Sequence, residues 1–141
     1  MTNKTRGFTL IELMIVVAIL AIVASVGYPS YLEHVKKSRR AEGMGQLLEL
    51  ADHMERYYSD NGTYAGATLG AAATDVYPAT TDGGYYTLSF DGALDNVAFT
   101  ISATPTGKGK QNTDKCHTFT LTSLGVKSVS GGSLVTDDCW K

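Results

Sequence analysis

One acidic residue stands where charge is costly. Glu12 lies four residues into the apolar run Phe8–Gly27, FTLIELMIVVAILAIVASVG. A charged side chain at mid-membrane costs roughly 2.5–3.5 kcal/mol on insertion scales, and ionisable groups inside such segments usually have a partner and a function. Two readings follow. Either the carboxylate sits near a membrane surface and reaches the headgroups, or it awaits a positive charge from another molecule.

The other chemistry-bearing residues are sparse. Cys116 and Cys139 are the two cysteines; in a cytosolic protein such a pair most often stays unpaired, and in an exported one it forms a single disulfide. His117 adjoins Cys116, but a cysteine committed to a bridge is no nucleophile. His34 and His53 lie too far apart on one predicted helix to share an ion, and His53 with Glu49 one turn earlier reads as a solvated pair. Asp137-Asp138 supplies too few ligands for calcium. Lys108, Lys110 and Lys115, with Gln111 and Asn112 between them, form a modest basic strip that reads first as a solvated loop and second as a weak nucleic-acid contact. There is no Gly-rich phosphate loop, zinc pattern or pair of carboxylates with a reason to be close, so neither a catalytic site nor a cofactor is expected. Beyond Asp60 the five lysines face seven aspartates, which leaves no broad basic footprint for nucleic acid.

The elements that position these residues follow from periodicity. With 141 residues, 18% of them charged, the chain has room for one domain. Twenty residues from Phe8 at about 1.5 Å each span roughly 30 Å, the thickness of a bilayer's hydrocarbon core. Lys4 and Arg6 precede this run, and Lys36, Lys37, Arg39 and Arg40 follow at some distance; the nearer group favours a cytoplasmic N-terminus, with the C-terminal part outside the cytoplasm. Pro29 comes next, either as a kink or loosened turn or as a marker of membrane exit. From Tyr31 to Ser59 the spacing predicts a helix whose stripe is Leu32, Val35, Met44, Leu47, Leu48, Ala51, Met54 and Tyr58. Gly43 and Gly45 weaken it, and Asp60-Asn61-Gly62 stops it.

Residues 61–84 read as a connecting loop, after which the period becomes two. Tyr85–Phe90, Val97–Ser102 and Cys116–Thr122 each alternate polar with apolar residues, and Val126–Val129 adds a short fourth strand. The expected fold class is α+β: one long N-terminal helix, its first half transmembrane, packed on an antiparallel sheet of about four strands.

A short basic leader ending in Gly7, then Phe8-Thr9-Leu10-Ile11-Glu12-Leu13 and a long apolar stretch, resembles the class III signal of type IV prepilins, of the short-leader IVa branch. The resemblance implies the type IV pilin fold. It implies cleavage between Gly7 and Phe8 by a prepilin peptidase, which methylates the new Phe8 amine, and pairing of Glu12 with the Phe8 amine of a neighbouring subunit during assembly. It further implies a proline-marked helix segment at Pro29 that melts on packing, a disulfide Cys116–Cys139 bounding a variable surface region, and no enzymatic activity. The expected organisation is a cleaved leader 1–7, an assembly helix 8–35 and a head 36–141. The expected partners are other pilin subunits, the peptidase and the inner-membrane assembly machinery; the chain is expected in the inner membrane with a periplasmic head, then in the pilus. The ending Cys116…Leu121-Thr122-x-x-Gly125-x-Lys127…Asp138-Cys139-Trp140 resembles minor pilins of the PilE type, which prime assembly, with consequences for adhesion and twitching motility. Major pilin, DNA-uptake receptor and type II secretion pseudopilin are the alternatives.

Physics gives independent support. Apolar helices gain little from associating in lipid, because lipid tails are as apolar as leucine; a carboxylate lacking a partner, by contrast, favours any site that offers a cation. The competing reading is a secretory signal cleaved after Ala24, against which Glu12 interrupts the apolar core and Ile22 is a poor small residue. The mass of the mature chain separates the two: it is expected to begin at a methylated Phe8, and a start at Ser25 refutes the assembly reading.

Overall fold

In the computed structural model residues 7–141 are described; Lys4, Arg6 and the rest of the leader before Gly7 lie outside the described residues. Helix α1 runs Leu10–Asn61. It ends two residues beyond Ser59, where Gly62 takes φ +72° and donates its N–H to the Tyr58 carbonyl at 2.7 Å. That left-handed terminator costs a glycine nothing sterically. Pro29 lies inside the helix and lacks the N–H that would meet the Ser25 carbonyl.

The chain divides into two compact units, one ending at Val35 and one spanning Lys36–Lys141. In the first, every described residue up to Tyr31 is exposed. Its helix is long and apolar enough to cross a membrane, with a window of mean hydropathy 2.7.

In the second unit, the face of α1 turned to the core is Arg40, Gly43, Leu47, Leu50 and Met54, spaced three and four residues apart as one helical stripe requires. It is rotated from the expected stripe. Leu50 is fully buried and Leu48 is 45% exposed, while Met44, Ala51 and Tyr58 pack at the margin. The cause lies in two residues that no apolar pattern would select. Gly43 makes room for the Tyr86 ring, whose Cδ2 would sit 2.8 Å from any Cβ at that position; this glycine is a packing requirement as well as a weak point in the helix. Arg40 is admitted because Asp114 neutralises it.

Four strands follow: β1 (Tyr86–Phe90), β2 (Thr100–Pro105), β3 (His117–Thr122) and β4 (Lys127–Gly131). They form one antiparallel sheet in sequence order. The register carries a buried ladder across it, Leu88 to Ala103 to Phe119 to Val129, with Phe90, Ile101 and Leu121 one step along. These side chains and the α1 stripe form the core. β2 begins three residues later than the alternation at Val97 suggests, and Val97 is 69% exposed. Phe99 still packs inward, edge-on to Tyr64. β4 begins at Lys127, one residue after Val126.

Two other segments differ from expectation. Between β2 and β3 the chain forms a 3-10 helix, Lys108–Thr113, where Gly109 and Lys110 both take left-handed φ values of 56° and 58°. Residues 61–84 are more than a connector: they bury Tyr64, Ala67 and Thr81 and carry bridges Leu69–Tyr77 and Thr80–Thr87. A short helix α2 (Thr136–Cys139) closes the chain, and Cys139 is bonded to Cys116. Closing a loop of this length stabilises by about 3 kcal/mol on chain-entropy reasoning. Trp140 then lies edge-on to Phe119 and donates its indole N–H to the Ser128 carbonyl at 3.0 Å.

Arg40 ties helix to sheet. Its Nε and Nη2 donate to both Asp114 oxygens at 2.8 and 2.6 Å, and Asp114 also accepts the Cys116 N–H. The Asp114 side chain is wholly buried and that of Arg40 is 10% exposed. Removing one partner of such a pair strands the other charge, at a cost of about 3–5 kcal/mol. Asp114→Ala is therefore expected to lower head stability by that amount in denaturant melts, and a loss below about 1 kcal/mol would mean water reaches Arg40.

Candidate functional site

The start of α1 is built from Thr9 and Glu12. The Thr9 N–H and hydroxyl both donate to Glu12 Oε2 at 2.9 Å, and the Glu12 N–H donates back to Thr9 Oγ1 at 3.3 Å. This is a capping box: Thr9 caps the first turn, and the glutamate three residues on returns the bond. The pattern T-x-x-E was legible at Thr9-Leu10-Ile11-Glu12, yet the sequence reading looked outward for a partner to Glu12 and missed the inward one. Both are compatible with one carboxylate, which has several acceptor positions. Its second oxygen, Oε1, carries no bond to Thr9.

Around this cap the surface is apolar. Phe8 is 84% exposed, and Leu10, Ile11, Leu13 and Met14 are each more than half exposed. Such a surface has no stable place in water. Gly7 and Phe8 precede the helix, with open space around Gly7.

The remaining candidates lie in the head. Cys116 and Cys139 are joined and buried. Glu49 is not a simple solvated partner of His53: it accepts the Tyr77 hydroxyl at 2.9 Å, while the His53 ring lies edge-on to Tyr77. Asp138 pairs with Lys141, and no three metal-ligating side chains converge among the described residues. His117 has a left-handed φ of 55° and its Nδ1 lies 3.0 Å from Thr118 Oγ1.

The basic strip is split by the fold. Gln111 is fully buried, its amide donating to the Tyr86 hydroxyl at 2.9 Å. Lys108 and Lys110 stay exposed, and Lys108 meets a residue that sequence spacing gave no reason to consider. The Arg39 guanidinium lies 4.1 Å above the Tyr85 ring, and Lys108 Nζ is 5.1 Å from the same ring.

The long helix with its exposed apolar start, the sheet and the disulfide together define a filament-subunit fold. Residues 2–28 match the family described as "Prokaryotic N-terminal methylation motif", and residues 29–120 match "Type IV minor pilin ComP, DNA uptake sequence receptor". The chain belongs to the type IV pilin family, a family of structural subunits and not enzymes. Fimbrial protein EcpC of Eikenella corrodens is 41% identical over 71 residues, 49% of this chain and 46% of that protein. The type IV major alpha-pilin of Moraxella bovis is 29% identical over 80% of this chain and 76% of its own length. Type II secretion system core protein G of Dickeya chrysanthemi is 30% identical over 57% of this chain and 52% of its own length. The chain thus spans about half the length of EcpC and of the core protein. A type IV pilin of Shewanella oneidensis superposes with TM-score 0.52 at 27% identity, covering 75% of this chain and 98% of that one. The minor pilin PilV of Neisseria meningitidis shares the fold at TM-score 0.57 and 23% identity, over 74% of this chain and 95% of its own.

Burial pushes the Tyr86 hydroxyl up to about 12, against the Gln111 hydrogen bond, which works the other way. The ordinary tyrosine value is about 10, so the fold favours the neutral phenol. The stability this provides is complete below pH about 10 and is lost as pH rises towards 12. A phenolate titration of the folded chain at 295 nm is expected to show a late step that shrinks in Tyr86→Phe; a single step near 10 before unfolding would contradict the burial.

Proposed function

We propose that the chain is a minor pilin. It is held in the inner membrane as a single pass by residues 8–35 with its head periplasmic. A prepilin peptidase trims it after Gly7 and methylates Phe8, and the inner-membrane machinery assembles it with other pilins into a type IV pilus. There it primes assembly or sits near the tip, which supports adhesion and twitching motility. The observation that carries incorporation is Glu12, bonded to Thr9 through Oε2 among the described residues, at the head of a helix segment that is apolar and exposed. A neighbour's Phe8 amine offers that carboxylate a cation in a water-poor setting, where a charge-assisted bond is strongest. Pro29, lacking one backbone donor, is where the helix loosens as subunits pack. The minor role draws support from the family match over residues 29–120, while major pilins and secretion-system core proteins are also among the relatives.

A second reading, that the head contacts DNA, draws support from the description of the same matched family and from the exposed cations Lys108 and Lys110 beside Arg39.

Glu12→Ala and Glu12→Lys are expected to leave the chain inserted in membranes but absent from sheared pili by immunoblot; normal incorporation of either would refute the role of this carboxylate. Quantitative mass spectrometry of wild-type pili is expected to find the chain as a small fraction of the dominant subunit, and parity with that subunit would make it a major pilin.

A further inference from the structure

Several of the head's cations are neutralised within the chain. Arg40 is paired with Asp114, Arg56 with Asp52 and Lys141 with Asp138. Arg39 and Lys108 are held differently. Arg39 Nη1 donates to the Gly109 carbonyl at 2.9 Å, and Lys108 Nζ donates to the Gly83 carbonyl at 2.7 Å. Both cations share the Tyr85 ring. Carbonyls and a ring fix a position but cancel no charge. A guanidinium has five N–H donors and an ammonium three, so most of each group's donors remain after these bonds.

The cluster is shaped to keep the two charges together. A Cβ at Gly109 would lie 2.5 Å from Arg39 Nη1, so a side chain there would displace the guanidinium from its place. A Cβ at Gly84 would lie 3.4 Å from Lys108 Nζ. Exposed Lys110 stands two residues beyond Lys108 on the same left-handed turn. Acids are present too: Glu42 accepts the Gly83 N–H at 2.8 Å and Asp82 precedes that glycine. Neither forms an ion pair with Arg39 or Lys108 among the described residues.

Resting on the DNA-contact reading above, we propose that Arg39, Lys108 and Lys110 form a site for the phosphodiester backbone of DNA, one that reads its charge and not its bases. Two cations held over one aromatic ring suit neighbouring phosphates, and phosphate contacts carry affinity without sequence information. Base readout needs side chains that reach into a groove. Of the strip's two carboxamides, Gln111 is consumed in the core, which leaves the shorter Asn112 exposed.

The test uses the full chain in neutral detergent, with fluorescence anisotropy on two unrelated 20-base-pair duplexes over a range of salt. Both duplexes are expected to bind alike. The double variant Arg39→Gln/Lys108→Gln is expected to lose roughly tenfold in affinity for both and to lower the salt slope by about 2, whereas Arg56→Gln, remote from the cluster, is expected to leave both nearly unchanged. If Arg39→Gln lowers the melting temperature, Lys108→Gln alone carries the test, with a slope reduced by about 1. No binding of either duplex at low salt overturns both this site and the DNA-contact reading. Binding that the double variant leaves intact overturns the site alone. A marked preference for one duplex overturns the backbone-only character. Loss of retention on phosphatidylglycerol vesicles with duplex binding unchanged would assign the cluster to anionic lipid and overturn the proposal.

Discussion

Half of helix α1 has no interior. From Leu10 to Tyr31 every residue is exposed, and a surface this apolar must be covered by lipid or by other helices. The rest of the molecule accommodates that constraint. Because lipid gives such a helix little reason to leave, direction has to come from something polar, and in this stretch the charged group is Glu12. Holding its carboxylate by a capping box, and not by a buried partner, keeps the group satisfied in one environment and still able to accept a further donor in another.

The head answers the opposite demand, to fold stably around the second half of the same helix. Its core is narrow, one helical stripe against one face of four strands, and two unusual positions make it close. Gly43 lets an aromatic ring approach the helix backbone, and Arg40 crosses the stripe to reach Asp114. A charge inside so small a core needs its partner. Asp114 in turn sits two residues before Cys116, so the helix, the 3-10 helix and the disulfide are fastened at one place. Adjacent residues of α1 thus do different work, Arg40 neutralised inside and Arg39 charged at the surface over Tyr85.

How much of this could be read from residues alone depended on whether side-chain type matched environment. The apolar run and its charged interruption are local, and local patterns are legible. So were β1 and β3, where Tyr86, Leu88, Phe119 and Leu121 alternate with polar residues. The helical stripe was misplaced because its true members include an arginine and a glycine, which a search for apolar periodicity skips in favour of Leu48. The start of β2 was misplaced because Val97 is apolar but exposed, and alternation cannot tell such a residue from a buried one. At the candidate sites, Gly7, Phe8 and Glu12 stood out by spacing, whereas the Arg39–Tyr85–Lys108 cluster joins three distant segments and has no signature in any of them. Its one hint was the glycine pair around Lys108.

The bridge between Cys116 and Cys139 has a mechanical consequence. In a chain pulled from its two ends, the 23-residue interval between these cysteines cannot pay out, which withholds roughly 75–80 Å of contour from extension. Strands β3 and β4 lie inside that interval, so tension travelling along the backbone passes around them through a covalent short cut. Their hairpin is shielded from being peeled apart even where the flanking strands give way.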